Sequence, residues 1–208
     1  MTVRLPDHVD PKLFAVCKEF MRFGYDLFGA YLDALAGLDP IREDLVSRQQ
    51  AKISGLKKTQ PDKASVEFMD QQVLEHRFQA DQRGPQECLH RSTQGDFKLR
   101  TSPRGLDARL LGQMVVAQLY SAWEDKYRAL IASNLGLPKK NALASDLFYD
   151  LNKLRQAIIH NQGKATLEVE RAKVIRWFRC GDEIFISRER VQQLLDEIDR
   201  YVTGLCGL

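Results

Sequence analysis

The stretch Leu106–Asn134, LDARLLGQMVVAQLYSAWEDKYRALIASN, decides the fold class. Leu110, Leu111, Met114, Val115, Leu119, Trp123, Tyr127 and Ile131 recur at steps of three and four, the period of one buried helix face. Gly136 and Pro138 supply the stop.

Downstream, Ser145 predicts a cap for a helix that begins with Asp146 and ends near His160, followed by Asn161 and Gly163 as turn residues. Lys173–Phe178 and Glu183–Ile186 are β-branched and aromatic, and Arg179-Cys180-Gly181-Asp182 separates them, which predicts a small late β-hairpin. Ser187 then caps a last helix with Val191, Leu194, Leu195, Ile198 and Val202 on one face.

Upstream, residues 11–36 read as a helix capped by Asp10, with Pro11 at its first position. Gly24 and Gly29 within it either weaken the helix, at about 1 kcal/mol each relative to Ala, or mark close packing of another helix, and Gly37 ends it. Asp39-Pro40 starts a further helix to about Ser54. Residues 62–82 carry a thin helical stripe of Val66, Met69, Val73 and Phe78. Residues 83–105 break the pattern with Gly84-Pro85, Gly95, Pro103 and Gly105, and read as a mobile basic loop holding Arg83, Arg91, Lys98, Arg100 and Arg104. The expected architecture is mainly α: a helical bundle with one late hairpin, forming a single domain over residues 1–208.

Composition sets the outer limits. The chain has 208 residues, 44% hydrophobic and 28% charged, which is globular rather than disordered. A net charge of +3 is too small to argue for a nucleic-acid partner by itself. Charge is uneven, however: residues 48–110 hold 12 basic and 8 acidic groups. No apolar run is long enough to span a membrane, and MTVRLPDHVDPK has no apolar signal core, so a cytoplasmic protein is expected. Cys17, Cys88, Cys180 and Cys206 form no C-x-x-C pair, so reduced, mostly buried thiols are expected, with no metal and no cofactor.

Common catalytic signatures are missing: no phosphate-binding glycine loop, no H-E-x-x-H, no G-x-S-x-G. The histidines are His8, His76, His90 and His160. The stretch 151–163, LNKLRQAIIHNQG, stands out. Arg155 and His160, four residues between them near the end of an amphipathic helix and followed by Asn161, resemble the R-x4-6-H motif of the HEPN superfamily. The earlier helix with Ala122-Trp123-Glu124, and the hairpin and helix that follow, are similar in order to bacterial HEPN groups over about residues 106–203. Gln156 stands where the family usually has Asn, Asp or His. Spacing alone is not distinctive: Arg83 and His90 also fit it, but Gly84-Pro85 between them forbid a helix.

The resemblance implies a metal-independent endoribonuclease, in bacterial defence or a toxin–antitoxin system, with an antitoxin or other operon partner. Arg155 and His160 would be catalytic, and Gln156, Asn161, Asn152 and Glu124 supporting. One motif histidine per chain is too few for separate acid and base, and the resemblance implies a homodimer that joins two motifs. The alternative is a non-catalytic HEPN module that binds a protein or nucleotide. On a wheel of 100° per residue, Arg155 and His160 lie about 140° apart. They flank a strip with Phe148, Tyr149 and Ile159, and the face holding Phe148, Asn152, Arg155, Ile159 and His160 is the expected dimer contact. Arg91, Lys98, Arg100 and Arg104 are expected to meet RNA phosphates. A plainer reading also fits: Arg155 paired with Asp150 or Glu124, His160 on the terminal carbonyls, and Asn161 a turn residue.

Overall fold

The computed structural model describes residues 10–78 and 86–208. His8, and Arg83 with Gly84-Pro85, lie outside the described residues. The protein is mainly helical. Its elements are α1 (Pro11–Thr59), α2 (Val66–Asp70), β1 (Val73–Phe78), β2 (Glu87–Thr93), α3 (Gln94–Arg100), α4 (Leu106–Ala122), α5 (Arg128–Asn134), α6 (Asp146–His160), α7 (Leu167–Glu170) and α8 (Arg188–Leu205). No helix among the described residues is long and apolar enough to cross a membrane.

The chain divides into two compact units. One combines Met1–Asp33 with Arg109–Leu208, and the other is Ala34–Ala108.

The first unit holds the larger core. Phe20, Leu119, Trp123, Ile131, Leu151, Leu154, Ile184, Ile186, Leu194, Leu195 and Ile198 are all buried. Each such side chain contributes about 1.5–3 kcal/mol of burial. The stripe of α8 is realised in full, since Val191, Leu194, Leu195, Ile198 and Val202 are buried and the Ser187 side chain accepts from Arg190 N. The close packing expected at Gly24 is present: a Cβ there would meet Leu195 Cδ2 at 2.8 Å, whereas at Gly29 it would meet open space. The Tyr31 hydroxyl donates to the Ile186 carbonyl, 155 residues away, at 3.0 Å. Cys17 and Cys206 are buried, and burial together with Cys206 pushes the Cys17 thiol up to about 12. Cys88 and Cys180 are exposed, so only half of the thiols are buried.

Two contacts fix how α4 and its continuation lie along α6. The rings of Trp123 and Phe148 stack 3.7 Å apart at 4°, and Arg155 Cζ sits 5.7 Å over the Tyr120 ring. As numbering falls on one helix it rises on the other, so the two run antiparallel. Between α4 and α5 the chain makes one π-helical turn, Trp123–Tyr127.

The late hairpin does not form. The turn Arg179–Asp182 is present, with Gly181 at φ 90° and Asp182 N donating to Arg179 O at 3.1 Å. Its two arms, however, do not pair with each other. Asp150 accepts from Val174 N and Ile175 N at 2.6 and 3.1 Å. Ile184 N donates to Gly163 O at 2.7 Å, beside a single bridge between Lys164 and Glu183. The β-branched composition is instead explained by burial of Ile175, Phe178, Ile184 and Ile186.

The hairpin of this fold is early, in the second unit. β1 pairs antiparallel with β2, Val73 opposite Thr93 and His76 opposite His90, with an irregularity after His76. The helix expected over 62–82 is therefore only α2, begun by Ser65 accepting from Phe68 N. The residues of the expected loop from 87 to 100 are β2 and α3. Nor does α1 stop at Gly37: it continues through Pro40. Asp39 and Arg42 pair across the proline, and Arg42 Nη1 also donates to Thr101 O at 2.6 Å, which holds the turn that lacks one N–H. Buried Gln49 joins three elements, donating to Asp70 and Gln94 at 2.9 Å and accepting from Lys98 at 3.2 Å.

Candidate functional site

The helix α6 forms because Ser145 caps it, accepting from Phe148 N, and because Leu147, Leu151, Leu154 and Ala157 bury one face. That burial decides where the polar residues go. Arg155, Gln156, His160 and Asn161 come to line one pocket of about 340 Å³, together with Lys153, Thr166 and Glu168.

Arg155 is half-buried, and its Nε is fully buried with no hydrogen-bond partner. Its guanidinium makes no hydrogen bond or ion pair among the described residues; the face of Tyr120 is its neighbour. Neither partner weighed from the sequence takes it. Asp150, 3% exposed, is engaged by Val174 and Ile175. Glu124 is held by Arg128 and Lys140 at 2.9 and 2.8 Å. Burial pushes the Glu124 carboxyl up, but these hydrogen bonds and charges outweigh it and hold the group below its ordinary value.

His160 is exposed and ends α6. The terminus is closed by backbone rather than by its ring: Asn161 N and Gly163 N both donate to Ala157 O, at 3.0 and 3.2 Å. Asn161 Nδ2 ties to Lys164 O at 2.7 Å, so Asn161 also serves as the turn residue. Gly163 sits at φ 72°, and a Cβ there would lie 2.6 Å from Gln113 Nε2.

The supporting residues divide. Gln156 and Asn161 share the pocket of Arg155 and His160. Asn152 and Glu124 line a second pocket of about 260 Å³ with Tyr120, Arg128 and Tyr149. The strip proposed as a dimer contact also changes: Phe148 is 4% exposed and belongs to the core, leaving Tyr149 and Ile159 as its exposed apolar members.

The four basic residues expected to meet phosphate lie in the second unit. Arg91 pairs with Glu75 at 2.7 Å, Lys98 with Asp70 at 2.5 Å and Arg100 with Asp107 at 3.2 Å. Arg104 also has a partner.

Sequence reading missed Tyr120, Lys153 and Glu168 as neighbours of the motif. Lys153 is two residues from Arg155, but Tyr120 and Glu168 reach the site through helix pairing and the turn after α6, which carry no local signal. Among the described residues no group of three or more His, Cys, Asp or Glu is arranged to hold a metal ion. No family model matches the chain, and neither a curated protein nor a solved structure does. The likeness to the HEPN superfamily therefore rests on the residues of α6 and their setting.

Proposed function

We propose that the chain is a metal-independent endoribonuclease of HEPN type, acting in bacterial defence or a toxin–antitoxin system. The observation that carries this reading is Arg155: a half-buried cation, unanswered by any anion among the described residues, in one pocket with His160. An uncompensated, partly desolvated guanidinium is costly in the empty state and favourable once an anion is bound. A phosphate offers the bidentate geometry that arginine matches.

The ribose 2′-hydroxyl attacks the adjacent phosphorus. Its proton passes to a histidine, charge grows on the phosphate oxygens against Arg155, and the P–O5′ bond breaks as a second acid protonates the leaving oxygen. The products are a 2′,3′-cyclic phosphate and a 5′-hydroxyl. The pocket holds one histidine, beside Lys153 and Glu168, and the HEPN resemblance implies that the second acid–base group comes from another copy of the chain. Ile159, 49% exposed on α6, supplies apolar surface for that contact.

The test is purified protein against total RNA in EDTA, beside an Arg155→Ala, His160→Ala double variant. Cleavage with cyclic ends by the wild type alone is expected. No cleavage of any RNA would overturn the reading and favour a non-catalytic module that binds a protein or nucleotide.

A further inference from the structure

The second pocket lies at the start of α6, against the π-helical turn, and no step of the proposed cleavage uses it. We infer that it is a nucleobase subsite, and that it selects a base with an exocyclic amine over the same ring with a carbonyl. The inference rests on the ribonuclease reading for the placement of the phosphate.

Three observations carry it. First, the two pockets share a wall. Tyr120 lines the second pocket, and its ring lies under the Arg155 guanidinium that lines the first, at 5.7 Å. On α6, Asn152 and Arg155 are less than one turn apart, about 5 Å along the axis. A phosphate on Arg155 thus leaves its own nucleoside within reach of the second pocket.

Second, the walls suit a base. Tyr120 and Tyr149 present aromatic surface, and Tyr149 is 58% exposed. Unstacked RNA bases are held on such rings. The side chain of Asn152 makes no hydrogen bond among the described residues, so its amide offers both a donor and an acceptor.

Third, Glu124 is a fixed acceptor. It belongs to the π-helical turn, a distortion that recurs at functional sites. Arg128 and Lys140 hold its carboxylate in place and ionised. Those two bonds leave lone pairs unused, since a carboxylate has about four acceptor directions. A carboxylate accepts from the amino group of cytosine and repels the carbonyl oxygen that uracil has at the same position. Adenine and hypoxanthine differ in the same way.

The experiment uses DNA oligonucleotides with one ribonucleotide, because only that sugar has the attacking hydroxyl. Single-turnover rates are compared for ribo-C against ribo-U and for ribo-A against ribo-inosine. Wild type is expected to favour the amine in both pairs by on the order of tenfold. Asn152→Ala and Glu124→Gln should each bring the ratios towards one; a ratio cancels any loss common to both substrates. Equal rates in the wild type, or unchanged ratios in both variants, overturn the subsite and leave the ribonuclease reading standing. If no oligonucleotide is cleaved, 3′-CMP and 3′-UMP, which carry the phosphate on the same side of the sugar as the scissile one, are titrated while tryptophan fluorescence is followed, since Trp123 lines this pocket. Tighter CMP binding that Asn152→Ala abolishes would keep the subsite and discard the nuclease. Equal or absent binding would overturn both.

Discussion

Arg155 of the first unit and the basic residues of the second stand in opposite settings. In the second unit Arg91, Lys98 and Arg100 each face a carboxylate, from Glu75, Asp70 and Asp107. In the first, Arg155 faces the Tyr120 ring and no carboxylate among the described residues. The stretch 48–110, nearly all of it in the second unit, has the excess of basic over acidic groups, yet the cations there are engaged in holding short elements together. A basic residue is available to a ligand according to what already sits beside it. Local charge density does not reveal that.

The largest expected difference between the units is chemical. His160→Ala should lower single-turnover RNA cleavage by about 10²–10⁴. Arg155→Lys should fail as well, because an ammonium lacks the planar fork. Both should melt like wild type. An equal loss in Arg91→Ala would break the contrast.

Next comes the scaffold of the first unit. Gly163→Ala puts a Cβ at a positive φ and 2.6 Å from Gln113 Nε2. A loss of about 1–3 kcal/mol in denaturant unfolding is expected. A neutral result would mean that the turn after His160 is looser than its geometry.

A smaller effect belongs to the second unit. Burial pushes the Asp70 carboxyl up, but hydrogen bonds from Lys98 and Gln49 outweigh it and lower its pKa. A lowered acid adds stability above its unfolded pKa of about 3.9, and that contribution fades as pH falls through the folded value. Asp70→Asn should therefore cost about 1 kcal/mol at neutral pH, with the gap to wild type narrowing below about pH 4. A gap that stays constant with pH would assign the loss to packing.

The finest comparison is the salt dependence of RNA binding by a cleavage-inactive His160→Ala background. Adding Arg155→Ala should reduce the slope by about one. Replacing Arg91, Lys98 or Arg100 with Ala should each reduce it by less. A larger drop in the second unit would restore it as the main phosphate surface.

Much of the helical frame was legible, because caps and stripes are local. Ser145 with the leucines of α6, and Ser187 with those of α8, needed nothing from distant sequence. The misses have one physical origin. Residues 173–186 look like strands because they are apolar and extended, but composition does not say whether their carbonyls and N–H groups meet each other or Asp150 and Gly163. Conversely, ECLHRST over 87–93 has few strand formers and is a strand because β1 lies beside it. Phe148 looked like surface on a wheel, and only the stacked Trp123 shows it to be core. Arg155 and His160 were found from spacing on one helix. Tyr120 and the division of Asn152 and Glu124 into another pocket depend on the antiparallel pairing of α4 and α6.

The bond from Tyr31 to Ile186 has a consequence for synthesis on the ribosome. Leu13, Cys17, Phe20 and Tyr31 leave the exit tunnel more than 150 residues ahead of Ile186 and α8. At about 5–20 residues per second that interval is on the order of 10 s. All of Ala34–Ala108 emerges within it, so the unit contained in one continuous stretch can close first. The part of the α1 face that α8 covers stays open until α8 has emerged, which makes it the natural place for a chaperone to hold the growing chain.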